Sequence, residues 1–201
     1  HAPDNVIGQT SFYVGAVGTT QSGLATPYGL SFDATNNRLY VSQSSRVTIY
    51  DTTTITDGMN AMNVLGQTTF SAGSSAVSQP GLTGAEAVAI DPTHNLLYVA
   101  QGNSSHRVTV YDVASITNGE NAVNVIGQTT FSAATSAVSQ PGLATPQGVA
   151  IDEGNNRLYV VQSSGSRVTV YDVSAISNGK NAVNVIGQAN FSSSTQSTAQ
   201  N

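Results

Sequence analysis

The stretch "PQGVAIDEGNNRLYVVQSSGSRVTVYD" (Pro146–Asp172) holds three apolar runs divided by turn residues. "GVAID" (Gly148–Asp152) is short and small-sided. "RLYVVQ" (Arg157–Gln162) follows "DEGNN", whose Asn and Gly residues favour turn conformations. "RVTVYDV" (Arg167–Val173) alternates and is rich in β-branched and aromatic residues, the pattern of a half-buried strand. A fourth run, "NVIGQ" (Asn184–Gln188), is reached through "SAISNGKNA", in which Asn178-Gly179 is a strong turn signal. No window sustains a 3.6-residue apolar period, so any helix is at most a single turn.

The same pattern occurs three times. The Asn of NV(I/L)GQ stands at 5, 63, 124 and 184, so the periods are 58, 61 and 60 residues. Almost every internal spacing is constant. The variation lies between Gln43, Gln101 or Gln162 and the Arg that follows (Arg46, Arg107, Arg167), at 3, 6 and 5 residues. Constant lengths imply packed structure, and the one variable segment implies an exposed loop tip. Four short antiparallel strands per unit, repeated, is the signature of a β-propeller blade. Ser31, Ala89 and Ala150 in the first strands suit inner strands that converge on an axis. The expected architecture is therefore all-β: a propeller segment of three four-stranded antiparallel blades, completed by association. Its parts are a spare N-terminal strand (1–12), blades at 13–70, 71–131 and 132–191, and a tail (192–201). Tyr40, Tyr98 and Tyr159 recur at strand positions and read as core.

"PYGLSFD…NNRLYVSQSSRVTIYD" and "PQGVAIDEGNNRLYVVQSSGSRVTVYD" resemble NHL repeats, with their Pro-x-Gly-Val-Ala-x-Asp, Tyr-Val and Arg-Val strands. The long blade ending in "NGxNAxNVIGQ" is similar to a variant of secreted bacterial NHL-type proteins. The resemblance implies a propeller that commonly has six blades, and a family that includes RNA binders, a metal-dependent lyase and scaffolds. Two departures stand out. Gln43, Gln101 and Gln162 occupy a place where the family usually has Asp, and unit 2 reads "GAEAVAID", without the Pro and Gly of units 1 and 3.

Composition narrows the function. Only 8% of the 201 residues are charged, against about 25% in ordinary soluble domains. A net charge of -5 with six basic residues argues against nucleic acid, which needs a clustered basic face. No apolar run is long enough for membrane insertion by a helix. Without cysteine there is no disulfide framework or thiolate metal site. The Ser/Thr-rich, weakly charged composition suits an extracellular or cell-surface location. A chain that starts at His1 without Met reads as a processed product or a fragment.

Chemistry-bearing residues are few. Asp33, Asp91 and Asp152, with Asp51, Asp112 and Asp172, recur in every unit and read as turn and strand-end hydrogen bonders. No pair of them is singled out for acid–base catalysis, so no catalytic residue, cofactor or metal site is assigned. His1, His94 and His106 lack a ligand-set spacing and read as loop histidines. Glu86 is an unrepeated acid in the slot of Tyr28 and Gln147, and these three form a candidate small-ligand or glycan site at the channel mouth. Asn103 and Asn190 match the glycosylation acceptor pattern.

Three blades leave two uncovered end faces, so the expected partner is the chain itself. Blade 1 would contact blade 3 head to tail, giving a filament or a closed ring. The segment Asn5, Val6, Ile7, Gly8, Gln9 and Phe12 is a candidate assembly strand that pairs with a neighbour's sheet edge. The expected role is a non-catalytic structural or scaffold protein. The alternatives are a ligand-binding propeller and, behind it, a hydrolase or lyase.

Overall fold

The computed structural model describes residues 2–196; His1 and the last five residues of the 192–201 tail lie outside them. Twelve strands form three four-stranded antiparallel sheets, with no helix among the described residues. Blade 1 contains β1 (Pro27–Asp33), β2 (Arg38–Gln43), β3 (Arg46–Asp51) and β4 (Asn63–Leu65). Blade 2 contains β5 (Ala85–Asp91), β6 (Leu96–Gln101), β7 (Arg107–Asp112) and β8 (Asn124–Ile126). Blade 3 contains β9 (Pro146–Asp152), β10 (Arg157–Gln162), β11 (Arg167–Asp172) and β12 (Asn184–Ile186). Each sheet runs in simple sequence order, and the three do not close on themselves. The molecule is an open segment of a β-propeller.

The hairpins follow from local chemistry. Asp33 accepts from the amides of Thr35 and Asn36 and from the Asn36 side chain, and Asn37 takes a positive φ of 51°. Asp91 and Asp152 each bond one amide and one side chain, those of His94 and Asn155, in the turns ending at Asn95 and Asn156. Asp and Asn tolerate this geometry because their short side chains bond the local backbone.

Register decides which side chains meet. Tyr40 lies opposite Ile49 and Ser31, whereas Leu39 lies opposite Tyr50 and Phe32. The period of two therefore gives each blade a rear row and a front row. The rear of blade 1 (Tyr40, Val47, Ile49, Leu65) packs on the front of blade 2 (Leu97, Val99, Tyr111, Val113). The rear of blade 2 (Tyr98, Val108, Val110, Ile126) packs in the same way on Leu158, Val160, Tyr171 and Val173 of blade 3. Tyr159, the blade 3 counterpart of Tyr40 and Tyr98, is only half-buried because its row ends the stack.

Inner strands come very close. A Cβ on Gly29 would lie 2.9 Å from the carbonyl oxygen of Glu86, and Ser31 Oγ accepts from the amide of Ile90 across the junction at 3.1 Å. This explains the small residues of the first strands.

The contrast between buried and terminal rows is measurable. Leu97→Ala, in the junction between blades 1 and 2, is expected to cost about 2–5 kcal/mol. Leu39→Ala, the equivalent change on the half-buried front of blade 1, should cost less than half as much, read from urea unfolding of the two variants.

Candidate functional site

Each blade is tied by one buried arginine without an acidic partner. Arg107 is fully buried; its Nε and one terminal nitrogen donate to Gln101 Oε1 at 3.2 and 3.0 Å. Its other donations go to the carbonyls of Ser78, Gly81 and Phe131. Arg46 repeats this with Gln43, Gly18, Gly23 and Phe70; Arg167 meets Gln162, Ser139, Gly142 and Phe191 through its terminal nitrogens, and its Nε has no partner among the described residues. The Gln side-chain nitrogen in turn donates to Thr48, Thr109 or Thr169. Burial pulls all three guanidinium groups down from their ordinary value. Arginine nevertheless remains charged, so its N–H donors must be met. A single arginine thus joins the incoming linker, the second strand, the third strand and the outgoing Phe.

Adjacent blades are stapled at the outer rim. The amide of Val64 donates to Asn118 Oδ1 at 3.0 Å, and the amide of Gly119 returns a bond to Val64 O at 3.0 Å. Val125 meets Asn178-Gly179 identically, at 3.0 and 3.1 Å. Gly119 has φ 71°, and a Cβ there would lie 2.9 Å from Thr68, so glycine is required on two grounds.

The N-terminal segment makes this staple on its own chain. The amide of Val6 donates to Asp57 Oδ1 at 2.8 Å, and the amide of Gly58 donates to Val6 O at 3.1 Å. Ile7 packs with Leu24, Leu39, Val41 and Tyr50 on the front of blade 1, where Leu65 and Ile126 stand in the inner junctions. Asn5–Phe12, expected as a strand on a neighbour's sheet edge, forms no strand within its own chain. An outer strand needs a third strand beside it, and this segment has none. Gln67 Nε2 reaches both Ser45 O and Ser74 O, whereas Gln9 reaches only Ala16 O. Phe12 is exposed, whereas Phe70, Phe131 and Phe191 each pack against a core. The segment sits as the outer edge of a blade that would precede blade 1.

The two end faces are the unburied halves of the internal junction. Leu30 is 67% exposed, and its blade 2 equivalent, Val88, is 6% exposed. Ile186 is 54% exposed, and Leu65 and Ile126 are fully buried. Phe32 and Val161 are likewise exposed where Ile90 and Ala100 are covered.

The remaining residues divide. Glu86 and Gln147 are brought close together, and burial pushes the Glu86 carboxyl up from its ordinary value, with Gln147 opposing the shift. Tyr28 is exposed and hydrogen-bonds to neither. Asn103 is exposed in its loop; Asn190 is exposed with its Oδ1 engaged by Ser192 and Ser193. His94 is exposed and bonds Asp91 at 2.8 Å. His106, expected as an exposed loop residue, is half-buried: its Nδ1 accepts from the amide of Thr145 at 3.2 Å, tying blade 2 to blade 3. Among the described residues no group of three or more His, Asp or Glu converges.

No family model matches the chain, and no curated protein matches it. Solved structures do. The chain is similar to hydrazine synthase of Kuenenia stuttgartiensis, at TM-score 0.54 and 17% identity, covering 90% of this chain and 40% of that one. It is similar to a chain of a nidogen/laminin complex at TM-score 0.54 and 16% identity, covering 87% and 52%. U3-55K gives TM-score 0.52 and 16% identity, covering 81% and 39%. The chain thus spans between 39% and 52% of these structures. Hydrazine synthase and nidogen/laminin are β-propeller-like, and the likeness at this identity is one of fold.

Two predictions follow from the ties within a blade. Gln101→Leu removes the acceptor of Arg107 and should cost about 3 kcal/mol or more in chemical unfolding, since each hydrogen bond to a buried charge contributes about 1.5–3 kcal/mol. Gln101→Glu keeps that acceptor but gives up the donation to Thr109, so it should cost clearly less than Gln101→Leu without matching the parent. At the surface, the side chain and amide of Ser174, with Arg157, hold the Asp172 carboxyl down at about 2. Its stabilising contribution is therefore full above the ordinary value of 3.8 and is lost as pH falls towards about 2. Asp172→Asn should lower the unfolding temperature at neutral pH, and the gap from the parent should close between about pH 4 and pH 2.

Proposed function

We propose that this chain is a non-catalytic, extracellular structural propeller of the NHL type. Blade 3 of one copy docks head to tail on blade 1 of a second copy, producing a closed ring or a filament. The carrying observation is the pair of end faces: positions that pack into the junctions inside the chain are exposed at both of its ends. The chain already contains two examples of the interface, so the rear row of blade 3 has a known complement in the front row of a blade. Such a contact is heterologous, and whether it closes depends only on the rotation between copies. The NHL assignment is supported by the blade motifs, and the extracellular one by the low charge and the Ser/Thr-rich composition.

A small-ligand role at the inner edge has one observation in its favour, the partly buried Glu86 carboxyl beside Gln147. It lacks the third member expected of it, since Tyr28 does not join the pair.

Mass in solution tests the association. The parent chain should grow in mass with concentration, and Phe32→Asp or Val161→Asp should each weaken association at least tenfold. An equal mixture of the two variants retains one sound interface and should stop at a dimer. A parent that stays monomeric at every concentration would overturn the proposal, as would variants that fail to complement each other.

A further inference from the structure

The front of blade 1 is not an empty docking face. Its outer-rim staple, Asp57-Gly58, is already engaged by Val6, and Ile7 covers the ground between Leu24 and Tyr50. A blade 3 arriving from a second copy carries its own NVIGQ segment at the matching position. Val185 of that segment corresponds to Val64, Val125 and Val6, and Ile186 to Leu65, Ile126 and Ile7. In the inner junctions one such segment fills the place between a third strand and an Asn-Gly turn. Two cannot occupy it together, so docking requires that one withdraw.

The ties of the two competitors are unequal. β12 is laddered to β11 through three register pairs, and Gln188 holds both Ser166 O and Thr195 O. The following Phe191 carbonyl accepts from the buried Arg167, so withdrawing β12 opens the centre of its blade. Asn5–Phe12 has no ladder, and its backbone ties to blade 1 are the two at Asp57 and Gly58. Arg46 takes hold of the linker only from Gly18 onward, at the carbonyls of Gly18 and Gly23. The segment before that point can leave while Leu24 and the arginine network stay in place.

We propose that Asn5–Phe12 is a displaceable plug, holding in cis the place that a second copy's β12 takes when blade 3 of that copy docks on blade 1. This rests on the head-to-tail association above and adds its regulation. The chain caps its own receiving face, which sets the concentration at which assembly starts. The opposite arrangement, in which Asn5–Phe12 pairs with the neighbour's β11 and expels β12, uses the same place and reverses every sign.

Hydrogen exchange of the unmodified chain at low and high concentration separates the two. With a plug, the Val6 amide loses protection on association, the Val185 amide gains it, and the Gly58 amide stays protected by its new partner. Gain at Val6 with loss along β12, or association without change at either segment, would overturn the plug while leaving self-association standing. Substitution gives an independent reading. Ile7→Asp should tighten association about tenfold and Ile186→Asp should weaken it about tenfold; the reverse pair of effects overturns the plug. If the parent and both variants all remain monomeric, the association itself fails and the plug with it.

Discussion

Every blade is organised around a buried guanidinium that has no carboxylate to answer it. Leaving such a group's donors unmet would cost several kcal/mol, so the chain must bring oxygen atoms to it from four directions. Those oxygens come from segments far apart in sequence: Arg107 gathers Ser78 and Gly81 from before its blade, Gln101 from within it and Phe131 from beyond it. Strand pairing alone would leave the linkers unplaced. The arginine fixes them, and they in turn carry the Leu82 and Leu143 side chains into the junctions. The neutral Gln of each blade fits this scheme. It accepts from Arg and donates to Thr with the same amide, which a carboxylate cannot do.

Repetition makes each blade both a receiver and a donor. The front row of one blade and the rear row of the blade before it form a complete apolar core, and no blade buries both rows by itself. Blade 2 is the only one of the three with a blade on either side. Stability is accordingly a property of junctions, as in other repeat architectures. The rows at the ends of the stack are the same surfaces that pack together in the middle, which is why an end face of this protein is chemically a junction half.

Much of this could be read in advance, because the sequence carries the period of two in "RLYVVQ" and "RVTVYDV" and the turn chemistry in Asn178-Gly179. The strands fall where those patterns place them, and the recurring Asp residues bond their own turns. The arginine network was harder to see. Its signal was the pairing of Gln and Arg in every unit despite a spacing of 3, 6 and 5 residues, which marks two partners held in space across a loop of changing length. The position of Asn5–Phe12 could not be read, since a strand-like motif does not announce whether a third strand lies beside it. The burial of His106 is hidden for a similar reason. It sits in the variable loop, yet that loop folds back over the next blade and meets Thr145.

The ties across the junctions share one further character: among the described residues none pairs opposite charges, and Glu153, reaching across, meets only the hydroxyl of Thr93. Apolar rows, side-chain amides, hydroxyls and backbone amides hold blade to blade, and Arg38 reaches across to a carbonyl, that of Val113. The hydrogen bond of His94 with Asp91 and the ion pair of Arg157 with Asp172 both lie inside single blades. Ionic strength acts on charged contacts by shortening the range of their fields to about 10 Å at 0.1 M salt. Contacts of the present kind give it little to act on. The joints between blades therefore belong to the class of interactions that brine and dilute water treat alike, while strongly excluded salts such as sulfate tighten them.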